Sequence, residues 1–192
     1  FGGMWLPLGT VFTYDSATFI SVPANNYRIV VTDQSNNTNS IVFINITQPS
    51  AIIGVSTYTD VSCNGGNDGT ATVSVSGGTP GYSYSWNTTP IQTTATATAL
   101  AAGTYICTIT DANGCVTTHS VTIAQPSQLT GSITSQTNVS CNGLSDGSVT
   151  ITAAGGSINY QYDIGNGPQS SGVFGGLSAG SYTITITDNN SC

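Results

Sequence analysis

Lysine and glutamate are both missing from this chain of 192 residues, and Arg28 and His119 are its only basic side chains. Eight aspartates set a formal net charge of −7. With nothing to neutralise phosphates, nucleic acid is excluded as a partner. Adsorption to an anionic membrane through basic residues is excluded for the same reason. No run of about 18 apolar residues exists, so direct membrane insertion through a spanning helix is excluded too. The lack of Glu removes the commonest carboxylic general acid, and the Asp residues that remain sit in turn sequences, so an enzyme is not expected. No stretch carries helical periodicity with caps. Solubility has to come from Thr, Ser, Asn and Gly.

What is present is repetition. Val61-Ser62-Cys63-Asn64-Gly65-Gly66-Asn67-Asp68-Gly69 returns 78 residues later as Val139-Ser140-Cys141-Asn142-Gly143-Leu144-Ser145-Asp146-Gly147. A Tyr followed by alternating residues and Thr-Asp occurs at Tyr27 to Asp33, Tyr105 to Asp111 and Tyr182 to Asp188. Gln-Pro-Ser stands at 48–50 and again at 125–127. Self-similarity at one period marks a tandem array. It divides the chain into a partial unit at 1–49, a complete unit at 50–126 and a nearly complete one at 127–192, a period of about 77 residues that can bury one small core. The chain opens at Phe1-Gly2-Gly3 and stops at Ser191-Cys192. It therefore reads as an interior stretch of a longer polypeptide whose targeting signals lie elsewhere.

Within each unit the pattern is that of short strands. Ala71 to Val75, Tyr82 to Trp86 and Tyr105 to Ile109 alternate apolar and polar residues, with β-branched and aromatic types dominant. Turn chemistry at 77–80, 102–103 and 111–114 separates them. The spacing predicts strands at 52–59, 69–76, 81–87, 91–98, 104–110 and 115–123, with matches at 147–153, 158–164 and 181–187. The expected fold class is all-β: tandem immunoglobulin-like β-sandwich repeats placed end to end. Leu100 to Tyr105, Val22 to Tyr27 and Leu177 to Tyr182 resemble the corner of such domains, where a Tyr bonds back to nearby backbone. Short Pro-containing joints predict stacked neighbouring repeats in a semi-stiff rod.

Five cysteines are available: Cys63, Cys107, Cys115, Cys141 and Cys192. Cys63 and Cys141 hold one equivalent position, Cys115 and Cys192 another. In the third unit Cys141 has no partner but Cys192, and by repetition Cys63 pairs with Cys115. Cys107 aligns with Ile184 and Ile29 and is expected to be a buried small hydrophobe. Each bridge would contribute roughly 4 kcal/mol in the chain-entropy model and would imply an oxidising, extracellular setting. The competing reading leaves all five reduced and packed. Zinc is disfavoured, since no Cys-x-x-Cys spacing exists. The first unit has Asn36-Asn37-Thr38 in place of the second Cys.

Other candidates carry a bland alternative. Asp68, Asp111, Asp146 and Asp188 recur beside Asn and Gly; they are calcium ligands at the sandwich ends or, preferred here, closers of Asx-turns, because no twelve-residue calcium loop is present. Calcium is thus the only cofactor entertained. Tyr82, Tyr84 and Trp86 form an aromatic row that is either a glycan platform or, preferably, core. His119 reads as a strand pairing residue. Asp15-Ser16-Ala17 fits a bacterial O-glycosylation pattern at close to chance level.

The segments Val-Ser-Cys-Asn-Gly-x-x-x-Asp-Gly, Gly-Gly-Thr-Pro-Gly-Tyr-Ser-Tyr-Ser-Trp, Ala-Gly-Thr-Tyr and Thr-Asp-Ala-Asn-Gly-Cys occur in order between Val61 and Cys115. Together they resemble the SprB-repeat family of large surface proteins in gliding and related Bacteroidota. Unit three matches the first and last of them, with Ile164 at the Trp position; unit one matches only from about Val22, with Trp5 as a counterpart of Trp86. The resemblance implies immunoglobulin-like repeats of a cell-surface adhesin exported by type IX secretion, some of which serve gliding motility. On that basis the expected role is a stalk segment at the bacterial cell surface, its partners the neighbouring repeats of the same polypeptide. Two other classes are held beside it. One is a filament subunit joined to other copies by strand complementation; the other is a calcium- or glycan-binding module.

Overall fold

The computed structural model describes residues 21–33 and 37–192, and every regular element among them is a β-strand. The all-β reading holds. No helix among the described residues is long and apolar enough to cross a membrane. The chain divides into two compact units, Phe1–Ala51 and Ile52–Cys192. Trp5 and Asp15-Ser16-Ala17 lie outside the described residues.

In the first unit β1 (Asn25–Asp33) and β2 (Thr38–Ile46) form an antiparallel hairpin whose register runs from Asn25 opposite Ile46 to Asp33 opposite Thr38. The Tyr27 hydroxyl donates to the Pro23 carbonyl at 2.7 Å.

The second unit contains two sandwiches. The first is built from β3 (Ile53–Thr59), β4 (Gly69–Ser76), β5 (Ser83–Trp86), β6 (Thr96–Leu100), β7 (Gly103–Thr110) and β8 (Val116–Ile123). They form two three-stranded antiparallel sheets, β3-β4-β6 and β5-β7-β8. Strand alternation sends Ala71 and Val73 of β4 inward, while Thr72 meets Thr96 across the ladder through their hydroxyls at 2.9 Å. Facing them are Trp86, Cys107, Ile109, Val121 and Ile123 of the other sheet, joined by Ala97 and Leu100. Trp86 is 1% exposed and satisfies its indole N–H on the Thr94 carbonyl at 3.0 Å. Tyr82 and Tyr84 pack against the same cluster, so the aromatic row is core. Cys107 sits opposite His119 and Trp86 in the ladder, fully buried, and burial pushes its thiol pKa up. His119, half-buried, meets the Ser56 hydroxyl at 3.1 Å where β3 and β8 close one edge of the sandwich.

The second sandwich pairs a sheet of order β12-β10-β9, namely β9 (Thr130–Thr137), β10 (Gly147–Ala154) and β12 (Val173–Leu177), with β11 (Gln161–Asp163) and β13 (Thr185–Thr187). Its core of Val149, Ile151, Tyr162 and Phe174 is separate and smaller. Tyr162, opposite Ile186 in the ladder, is the buried aromatic of β11, and its hydroxyl oxygen accepts the Ala153 N–H at 3.1 Å. Ile164, at the Trp position in the sequence, is only partly buried.

Two local expectations are corrected. The strand predicted at 91–98 is displaced to Thr96–Leu100, and it does not return antiparallel to β5. Gln92 O accepts from Trp86 N and Ala95 O from Val73 N, both at 2.9 Å. The chain therefore crosses from one sheet to the other after Pro90, and β6 continues in the direction of β5. The strands β9 and β12 were not anticipated. The first is an exposed edge rich in Ser, Thr and Gln, and Gly175-Gly176 interrupts the second, so neither shows an apolar alternation.

The tyrosine corner recurs as expected. Tyr105 donates to the Ala101 carbonyl at 3.1 Å and Tyr182 to the Ser178 carbonyl at 3.0 Å, both four residues back, as at Tyr27. Replacing Tyr105 by Phe removes one exposed hydrogen bond and should cost about 0.5–1.5 kcal/mol in urea denaturation. Trp86→Ala opens a cavity in the larger core and should cost about 3–5 kcal/mol. If the Trp86 variant were no less stable than the Tyr105 variant, the assignment of the core would be wrong.

Candidate functional site at the inter-repeat joint

Chemistry-bearing residues gather at the ends of the sandwiches, and each end is organised by one aspartate. At the entry end of the first sandwich, Asp111 follows β7 and is only 5% exposed. Its Oδ1 accepts the N–H groups of Asn113 (2.9 Å) and Cys115 (2.8 Å), while Oδ2 accepts Thr79 N–H at 2.9 Å. Gly78 allows this approach. It takes a left-handed φ of 62°, and a Cβ there would stand 2.9 Å from Asp111 Oδ2 and 2.7 Å from Ile52. Asp188 repeats the arrangement, accepting from Asn190 (2.9 Å), Cys192 (3.0 Å) and Ser157 (2.8 Å). At the exit end Asp68 accepts both the backbone N–H and the hydroxyl of Ser62, and Asp146 accepts the same two groups of Ser140 at 3.0 and 2.6 Å.

All four carboxylates are held below their ordinary pKa by these donors. For Asp68 and Asp146 the main cause is the serine hydroxyl; for Asp111 and Asp188 it is the N–H of Thr79 and of Ser157 respectively. The four do not converge. Asp68 and Asp188 come to the joint between the two sandwiches, Asp111 and Asp146 to the two far ends. No group of three or more His, Cys, Asp or Glu side chains that could hold a metal ion occurs among the described residues. The oxygens point at backbone N–H groups and serine hydroxyls, the geometry of a turn closer.

The cysteine pairing differs from the expected one. Cys63 is bonded to Cys192, with a Cα–Cα distance of 5.6 Å and a sequence separation of 129; Cys115 and Cys141 are exposed free thiols. The expected 63–115 and 141–192 bridges are replaced by a single bridge between repeats. The reason is geometric. Val61 N–H binds the Ala124 carbonyl at 2.9 Å, which holds the Cys63 loop at the exit end of β8, whereas Cys115 immediately precedes the entry of β8. An eight-residue strand spans roughly 26 Å. A disulfide tolerates at most about 7 Å between Cα atoms.

Around the bridge the joint is dense in hydrogen bonds. Asn64 Nδ2 donates to the Pro126 carbonyl at 2.9 Å, and Gly65 N–H to Gln125 Oε1 at 2.8 Å, so the Cys-Asn-Gly loop grips the Gln-Pro-Ser linker. Gly156 N–H reaches the Ser127 carbonyl at 2.8 Å. From the second sandwich, Asn190 Nδ2 donates to the Ser62 carbonyl at 2.9 Å. A small cleft of about 220 Å³ remains, lined by Asn64, Gln128, Leu129 and Asp188 among others. Sequence reasoning missed Asn64, Gln125 and Asn190 as joint residues. The signal for Asn64 and Gln125 was that Cys-Asn-Gly and Gln-Pro-Ser each occur twice along the chain.

Because each carboxylate titrates below its ordinary value in the folded chain, the unfolded chain binds protons first as pH falls. The stabilisation is present above the ordinary carboxylate value of 3.8 and drains away as pH drops through the lower folded values. Thermal melts should therefore show Tm falling as pH is lowered from about 5 through the carboxylate range. Asp111→Asn should lower Tm at neutral pH and flatten that acid dependence. An unchanged Tm across the range would contradict the assignment.

A model of the SprB repeat matches residues 55–90 and 130–169. Those segments run from β3 through β5 in the first sandwich, and from β9 through β11 in the second. No curated protein matches the chain. Each matched segment contains one Cys-Asn-Gly loop and one of the Gly-Gly turns that face an aspartate, so these two segments of the chain are similar to the SprB repeat.

Proposed function

We propose that this chain is a non-catalytic stalk segment of a bacterial cell-surface adhesin, with units at 1–49, 50–126 and 127–192 acting as spacers in series. The observation that carries this reading is the Cys63–Cys192 bridge across the joint between two sandwiches. A stalk has to transmit orientation and force from one unit to the next. A linker gripped by Asn64 and Gly65, and bracketed by a covalent bond, removes the torsional freedom that would otherwise make the joint a hinge. The SprB repeat supports a repeat module of adhesin type. Disulfide use favours an oxidising, extracellular location. A surface with one Arg, no Lys and no Glu offers few trypsin-type cleavage points and few strong charges.

In the chain-entropy model, closing a loop of this length restrains the unfolded state by about 5 kcal/mol. It also sets a mechanical limit. Pulled from its two ends, the oxidised chain should hide from extension the loop that the bridge closes, a sequence separation of 129 from Cys63 to Cys192. After reduction, single-molecule force spectroscopy should show roughly 430–460 Å of additional contour length at about 3.3–3.6 Å per residue. Identical contour lengths before and after reduction would remove the covalent joint from the stalk reading.

A further inference from the structure

The bonded cysteines have unbonded twins. Cys63 lies in a loop where Gly66 N–H binds the Cys63 carbonyl at 3.0 Å and Gly65 takes φ 78°. In the second sandwich Leu144 N–H binds the Cys141 carbonyl at 3.2 Å, and Gly143 takes φ 84°. Cys192 ends a turn in which Asp188 N–H binds the Cys192 carbonyl at 3.3 Å and Ser191 N–H binds the Asp188 carbonyl at 3.0 Å. In the first sandwich Asp111 N–H binds the Cys115 carbonyl and Gly114 N–H the Asp111 carbonyl, both at 3.0 Å. Ser191 and Gly114 share the left-handed region, at φ 63° and 81°. Both halves of the joint thus exist a second time in the same conformation. Each presents an exposed thiol, at opposite ends of the two-sandwich unit.

We propose that Cys141 and Cys115 are the two open halves of a further joint: the Cys141 loop of one repeat receives the Cys115-type turn of another repeat and bonds to it, as Cys63 bonds to Cys192. The partner surface is therefore a second SprB-type repeat, oriented head to tail. Asn142 and Gly143 occupy the positions from which Asn64 and Gly65 grip the linker. Asn113 occupies the position from which Asn190 reaches the Ser62 carbonyl. The bond forms by thiol–disulfide exchange with a small disulfide such as oxidised glutathione. The Cys141 thiolate attacks one glutathione sulfur and expels glutathione thiolate. The Cys115 thiolate of the second repeat then attacks the Cys141 sulfur and expels the other. Two protein thiols are oxidised to one disulfide, one glutathione disulfide is reduced, and the two protons given up by the protein thiols end on the two expelled glutathione thiolates.

This inference rests on the stalk reading and deepens it, and two exposed-site variants test it separately. Cys115→Ser keeps the Cys141 half; Cys141→Ser keeps the Cys115 half; both retain Cys63–Cys192. In a glutathione redox buffer each variant alone should stay monomeric on non-reducing gels. An equimolar mixture should give a disulfide-linked dimer containing one copy of each, with the Cys141–Cys115 peptide pair identified by mass spectrometry. The unsubstituted chain should form longer series. Absence of the mixed dimer, mixed disulfides with glutathione only, or a dimer of either variant alone would overturn the proposal. The force-extension result on Cys63–Cys192 would stand in all three cases, so the two readings fail independently.

Discussion

Each sandwich here holds its two cysteine positions at opposite ends, one full strand apart, and most of the organisation described above follows from that separation. A bridge inside one repeat would need to span the length of β8, which no disulfide can do. A bridge between successive repeats needs only that the exit loop of one meet the entry turn of the next. The linker makes them meet. Gln125 and Pro126 are bonded to the Cys63 loop on one side, and Ser127 to Gly156 on the other, so the two sandwiches are brought together before the sulfurs are joined. The covalent bond then restrains a joint that hydrogen bonds have already oriented.

The aspartates belong to the same logic. In a chain with one Arg and no Lys, carboxylates have almost no cationic partners, and the structure satisfies them with backbone N–H groups and serine hydroxyls instead. Asp111 and Asp188 shape the turns that carry Cys115 and Cys192, and Asp68 and Asp146 close the loops that carry Cys63 and Cys141. One carboxylate therefore presents one cysteine in every case. Two of these carboxylates, Asp68 and Asp188, stand at the joint, and Asp111 and Asp146 build the equivalent turns at the far ends. Their lowered pKa values are the electrostatic trace of that scaffolding.

The two cores show how loosely a repeat constrains its interior. Trp86 anchors the first sandwich, whereas Tyr162 and Phe174 share that work in the second, with Ile164 left at the margin. Apolarity was kept while identity and the size of the core were not, which fits the tolerance of packed cores for hydrophobic substitution. The turns allow less drift. Gly78 and Gly156 both hold left-handed backbone against an aspartate that a side chain would displace.

Much was readable from the residues alone, and for clear physical reasons. Alternation with period two needs only the pleat of a strand, so the β class and most of β4, β7, β8 and β10 were visible along the chain. The tyrosine corners involve a side chain and a carbonyl four residues away and were equally local. What tertiary structure alone decided was which end of the sandwich each loop occupies. With six strictly alternating strands, Cys63 and Cys115 would fall at one end and their pairing would be natural. The chain instead changes sheets after Pro90, so that β5 and β6 run the same way and one return passage vanishes. That single crossing carries Cys115 to the far end and turns an internal staple into a bond between repeats. Nothing in the local sequence records it, because the direction of a strand is set by the partners it pairs with and not by its own residues.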